Sequence, residues 1–211
     1  MGEQGQALAA GVALLERAID YTLGSLRIVT PAALCRPTPC AAWNLQALLE
    51  HVNDSFQALN EAASGHIPRQ PTPRTPRLQL PHPRMPDRRT CGQNPALLLR
   101  DGATEVLGRW AGTITNDLIS IDDRHLTSPM VAAVGAIEIA VHGWDVARSC
   151  GEHRPIPPLM AEELLDLAHL FITRDDRPDR FASPVTVPAY ALAQDHLLAY
   201  LGRDPDWLPH P

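Results

Sequence analysis

Between Ser128 and Gly151 the chain reads SPMVAAVGAIEIAVHGWDVARSCG, largely apolar yet carrying Glu138, His142 and Asp145 from its middle onward. The apolar run fits a helix that opens on Ser128-Pro129 and stops at Gly151, a residue type suited to the position just past a helix end. Positions four apart on an α-helix differ by about 40° around the axis. Glu138 and His142 therefore share a face, Asp145 falls on the same stripe, and Ser149 continues it. Ile137, Val141 and Trp144 supply apolar cover on either side. Burying a carboxylate or an imidazole unpaired is costly, so these groups require each other, another polar group or a metal ion. Any fold for this chain must pack helices around this stretch and supply those partners.

The rest of the sequence offers such helices. Leu8, Val12, Leu15, Ile19, Thr22 and Leu26 recur at three- and four-residue spacings, predicting an amphipathic helix over about 6–28. Prolines in VTPAALCRPTPCAAWN end it. Asn44 is then a suitable N-cap for a second helix carrying Leu45, Leu48, Leu49, Val52, Phe56 and Leu59 and ending near Gly65. A third helix is expected from Pro95 to about Ile121, with Leu98, Val106, Trp110, Ile114 and Leu118 inward. A fifth is expected over 159–174 and a short last one from about Leu192 to Leu201, stopping at Gly202. RFASPVTVPAY between them reads as extended, and no strand alternation or internal repeat stands out. The pattern predicts an all-α protein: one domain over 1–211, an antiparallel four-helix bundle with a C-terminal extension, 152–211, packed on it.

Composition narrows the function. All 18 basic residues are arginine, which excludes mechanisms built on a Walker lysine, a Schiff-base lysine or a kinase-type phosphate lysine. A formal net charge of −6 runs against phosphate-driven nucleic-acid binding. Cys35, Cys40, Cys91 and Cys150 form no C-x-x-C pair, and a chain of 211 residues does not need a disulfide framework. The N-terminus lacks the basic region of a signal peptide, and no uninterrupted run of roughly 18 apolar residues occurs. These points predict a cytoplasmic protein without membrane partners.

Residues 66–95 stand apart, with eight prolines, six arginines and one acid, Asp87. They predict a long loop or lid with polyproline-like character. A surface insertion, an anion-attracting flap and a polyproline ligand remain open readings of it.

His51 lies on the same face of the second helix as Leu48, Val52 and Ser55, a face expected to point inward. One histidine from one helix plus Glu-x-x-x-His from another is a reasonable three-ligand set for zinc or a similar divalent ion. The alternative is a helix-surface Glu138–His142 pair and a hydrogen-bonded core His51. His82, His125, His153, His169, His196 and His210 show no ligand spacing. Cys40 reads as a small residue in a tight turn, and Cys150 as a thiol able to approach the fourth-helix site.

Two segments carry a resemblance. TPCAAWNLQALLEHV is similar to the N-terminal signature of the DinB-like, mycothiol-dependent maleylpyruvate isomerase superfamily, and EIAVHGWDVARSCG resembles its second signature. The tail RFASPVTVPAYALAQDHLLAYLGRDP is similar to the ending of small actinobacterial members described only as metal-binding. The resemblance spans roughly 8–64 and 96–206, and it implies His51, Glu138 and His142 as metal ligands. It implies Asp145 as a carboxylate that orients a ligand or the substrate. Maleylpyruvate isomerases of the superfamily carry a larger C-terminal α/β domain, whereas about 60 residues follow the Glu-x-x-x-His helix here.

Three protein ligands leave a fourth position open, as in catalytic rather than structural zinc sites. The resemblance implies a low-molecular-weight thiol such as mycothiol in that position, activated for transfer to, or isomerisation of, a small electrophile. Zinc is the expected ion, with nickel and iron compatible with the donors. Arg148 or arginines of 66–95 are candidates for binding a substrate carboxylate. A metal-dependent hydrolase with Asp145 as base, and a metal-containing binding bundle without turnover, are the competing readings. Bundles of this type often pair, so a homodimer is an open reading beside a monomer.

Overall fold

The computed structural model describes residues 2–40, 43–63, 95–112, 118–121, 124–177 and 181–209. Among the described residues six α-helices dominate: α1 (Glu3–Leu26), α2 (Leu45–Ala63), α3 (Pro95–Gly112), α4 (Ser128–Ser149), α5 (Pro158–Phe171) and α6 (Ala193–Tyr200). The architecture is the expected all-α, DinB-like bundle, with α4 at its centre packed on α1, α2 and α5. Most of α4 is buried. By length and composition α4 could cross a membrane although Glu138, His142 and Asp145 interrupt its apolar run; its burial marks a core helix.

The packing explains the helix order. Gly11 lies against Pro129 and Ala132, where an added Cβ would stand 3.1 Å from the Pro129 carbonyl oxygen. Further along, a Cβ on Gly143 would stand 2.3 Å from Thr22 Oγ1 and 3.0 Å from Thr22 Cα. The Thr22 hydroxyl uses this closeness to donate to the Ile139 carbonyl at 2.7 Å. Residue numbers rise together along α1 and α4, so the two helices run parallel, correcting the simple antiparallel arrangement expected. Along α2 and α4 they run in opposite senses: Leu59 meets Gly135, and His51 meets Glu138 and His142. Phe56 beside Gly102 and the Trp110 indole donating to the Leu59 carbonyl at 3.1 Å show α3 advancing with α2. Parallel neighbours need a long crossover connection, and Ala63 and Pro95 stand 32 positions apart in the sequence.

Local signals act as the sequence predicts. The Asn44 side chain accepts the Ala47 N–H at 2.9 Å and caps α2. Leu45, Leu48, Leu49, Val52, Phe56 and Leu59 are all buried. α4 ends with Gly151 at φ 85°, its N–H on the Arg148 carbonyl and that of Glu152 on the Ala147 carbonyl. α6 ends the same way, with Gly202 at φ 80°.

Two expectations need correction. The third helix stops at Gly112, and 118–127, expected partly as helix, holds an antiparallel hairpin of β1 (Leu118–Ile121) and β2 (Arg124–Thr127). Leu118 pairs with Thr127 and Ile121 with Arg124. Branched Ile119, Ile121 and Thr127 suit a strand. The fifth helix, expected over 159–174, stops at Phe171. The loop reading of 66–95 falls outside the described residues except at Pro95, which opens α3, and Cys91 falls outside them too.

The C-terminal segment packs on the bundle. Ile156, Met160, Ala161 and Leu164 join the common core, and the Tyr21 hydroxyl donates to the Arg154 carbonyl at 2.6 Å.

The α1–α4 contact generates a paired prediction. Gly143→Ala is expected to destabilise the protein by about 1–3 kcal/mol, because the methyl meets the Thr22 backbone. Gly108→Ala, on an exposed part of α3 with nothing within 4 Å, is expected to stabilise it by about 0.5–1 kcal/mol. Urea denaturation reads both, and an unchanged midpoint for Gly143→Ala would contradict the close approach.

Candidate metal centre

The site forms where the first turns of α2 face the middle of α4. Both Nε2 atoms of His51 and His142 point at one oxygen, Glu138 Oε1, at 2.6 and 3.1 Å. Donor atoms of the three residues all lie within 4.8 Å of one another, so the group could hold a metal ion. His51 and Glu138 keep about a third and a quarter of their side chains exposed, at 33% and 27%, whereas His142 keeps 4%. The group is thus open on one side and closed behind.

Asp145 closes it. Its side chain is wholly buried, and its Oδ2 accepts from His142 Nδ1 at 2.9 Å. That bond turns His142 so that Nε2 faces Glu138 and His51, the arrangement by which a carboxylate orients a metal-ligating histidine. The resemblance implied Asp145 as a carboxylate that orients a ligand or the substrate; in the structure it sits behind His142, wholly buried, and contacts the histidine. The same Oδ2 accepts from Arg203 at 3.2 Å. Arg203 went unnoticed in the sequence, where its only signal is its place just after the helix-stopping Gly202.

The electrostatics follow from this crowding. Burial opposes the charge on His142, but Glu138 and Asp145 outweigh it and push the imidazole up to about 9. Burial likewise opposes ionisation of Glu138, yet His142 and His51 hold its carboxyl well below the usual carboxylate range. Burial opposes the charge on Arg203 as well, and Asp145 overcomes it.

The segment before α2 places Trp43 beside the site. The Thr38 hydroxyl lies 2.9 Å from the carbonyls of both Cys40 and Trp43, tightening the Thr-Pro-Cys turn. Ser149 on α4 donates to the Pro37 carbonyl at 2.8 Å, and Arg36 donates to the Cys150 carbonyl at 3.1 Å. Trp43 is thereby held with its ring centroid 4.4 Å from that of His51 and 5.9 Å from that of His142.

Other sequence candidates lie elsewhere. Arg148 is buried, donates to the Trp207 carbonyl and packs over Trp144, so it is committed to the fold rather than offered to a substrate. Burial pushes the Cys150 thiol up, away from the reactive thiolate. His153 and His169 are exposed, and neither they nor His196 join the donor group. Side chains of His82, His125 and His210 fall outside the described residues. Two surface grooves, of about 400 Å³ between α1, α4 and α5 and about 140 Å³ around Asp195 and Asp204, are lined by other residues.

An all-helical DinB-like bundle with two histidines and a glutamate converging from α2 and α4 defines the class. The chain belongs to the mycothiol maleylpyruvate isomerase N-terminal domain family, which matches residues 15–147. It is also similar to two uncharacterised proteins of Mycobacterium tuberculosis, MT0763 of strain CDC 1551 / Oshkosh and Rv0738 of strain H37Rv. Each is 24% identical over 190 residues, which cover 89% of this chain and 94% of the relative. No solved structure gives a significant match.

Removing Asp145 tests the closed side. Asp145→Ala leaves Arg203 and His142 buried without their acceptor and is expected to cost about 3–5 kcal/mol. A loss below about 1 kcal/mol in urea denaturation would place this carboxylate at the level of a surface ion pair.

Proposed function

We propose that His51, Glu138 and His142 hold a divalent metal ion, with zinc the best match to two imidazoles and a carboxylate. In this reading the protein activates a low-molecular-weight thiol, mycothiol-like, for transfer to, or isomerisation of, a small electrophilic molecule. The observation that carries it is the convergence of two Nε2 atoms and one carboxylate oxygen on a partly exposed spot.

The bound ion supplies positive charge that favours the thiolate form of a coordinated thiol at neutral pH. The chain's own residues do the rest. Asp145 keeps the His142 proton on Nδ1 and leaves Nε2 free to ligate. Trp43 covers His51 with an apolar face that limits water there. The exposed edges of His51 and Glu138 leave room for the thiol and electrophile to approach.

A second reading is a metal-containing bundle that binds a ligand without turnover; a groove of about 400 Å³ between α1, α4 and α5, apart from the donor residues, offers a place for such a ligand. The hydrolase reading loses its base, because Asp145 is wholly buried.

The two surviving readings separate in one assay. Zinc-loaded protein is incubated with a panel of epoxides and activated alkenes, with and without a low-molecular-weight thiol, and electrophile loss is followed. Thiol-dependent consumption that falls at least a hundredfold in His142→Ala is the expected result. Zinc-dependent thiol binding with no consumption of any electrophile would favour the binding module.

A further inference from the structure

We propose that Arg203 is a positioning residue of the metal centre, so that the C-terminal segment completes a site whose donors all come from α2 and α4. The inference rests on the metal reading above and adds to it a residue 56 positions beyond the end of the family match at 147.

The route by which Arg203 reaches the site is tightly specified. α6 closes with the Gly202 N–H on the Ala199 carbonyl at 3.0 Å and the Arg203 N–H on the Leu198 carbonyl at 2.8 Å. Gly202 must be glycine twice over: its φ is 80°, and an added Cβ would stand 2.6 Å from Ala182 Cβ. This turn sends Arg203 inward, to 7% exposure. There one guanidinium nitrogen donates to the Leu201 carbonyl at 2.8 Å and another to Asp145 Oδ2 at 3.2 Å.

The choice of acceptor atom matters. Arg203 and His142 Nδ1 share a single carboxylate oxygen, while Asp145 Oδ1 has no hydrogen-bond partner among the described residues. An ion pair serving only the fold gains little over apolar packing of the same volume. This one instead pins the oxygen that aims His142 Nε2 at Glu138 and His51. With Arg203 removed, the Asp145 carboxylate is free to rotate, and the His142 ring loses its fixed orientation. Outer partners of metal-binding histidines are typically worth about 10–100-fold in metal affinity.

The test compares wild type, His51→Ala, Arg203→Met, Arg203→Lys, Asp145→Asn and the double variant Arg203→Met/Asp145→Asn, each checked for folding by circular dichroism. Zinc dissociation constants are measured by competition with a chromophoric chelator, and the visible spectrum of the cobalt-substituted proteins is recorded. Arg203→Met is expected to bind zinc about 10–100-fold more weakly with an altered cobalt spectrum. Arg203→Lys should lie between it and wild type, and the double variant should lose no more than Asp145→Asn alone. A folded Arg203→Met with wild-type affinity and spectrum, beside a His51→Ala that does not bind, overturns the role of Arg203 and leaves the metal site standing. A wild type that binds no zinc or cobalt overturns the metal reading and this proposal with it. Should Arg203→Met fail to fold, the spectrum of Arg203→Lys decides, and an unchanged one overturns the proposal.

Discussion

The wholly buried carboxylate of Asp145 is the constraint around which this structure is arranged. A charge placed inside an apolar helix is tolerated only where charged hydrogen-bonding partners converge on it. His142 supplies one partner from the preceding turn of α4, and Arg203 supplies the other from the end of the chain. Because His142 is fixed by that contact, its second nitrogen faces Glu138, and α2 must bring His51 to the same point. The parallel packing of α1 on α4, with Gly143 against Thr22, seals another face of the helix. The donor group and the fold are therefore solutions to one electrostatic problem.

Much of this was legible in the residues. The inward positions of α2 follow from their spacing alone, and so do the caps at Asn44, Gly151 and Gly202. The Glu138–His142–Asp145–Ser149 stripe is a direct consequence of helical geometry, and the structure uses all four, Ser149 as an anchor for the turn that carries Trp43. Helix direction was not legible, because periodicity says which face is inward and nothing about which way a neighbour runs. The hairpin escaped because four-residue strands such as LISI also satisfy a helical pattern. Arg203 escaped for a related reason: its meaning lies in a contact 58 positions away, and nothing local marks an arginine after a helix stop as buried.

The same geometry bears on what the site does. His51 and Glu138 face outward enough to be reached, while His142, Asp145 and Arg203 form a closed backing. That division, an accessible edge on a rigid polar support, is what a centre needs to admit a ligand while keeping its donors in place. Family membership rests on 15–147, yet the backing draws on residue 203. The segment after α4 is accordingly part of the candidate site as well as of the core.

The account turns on whether the three converging donors hold an ion, and metal content measures that most directly. Untagged protein is analysed by elemental methods beside His51→Ala and Glu138→Ala. The account predicts about one divalent ion per wild-type chain, lost in both folded variants. A metal-free wild type that keeps its fold and takes up none of the divalent ions offered would contradict it, leaving His51, Glu138 and His142 as a partly exposed hydrogen-bonded cluster.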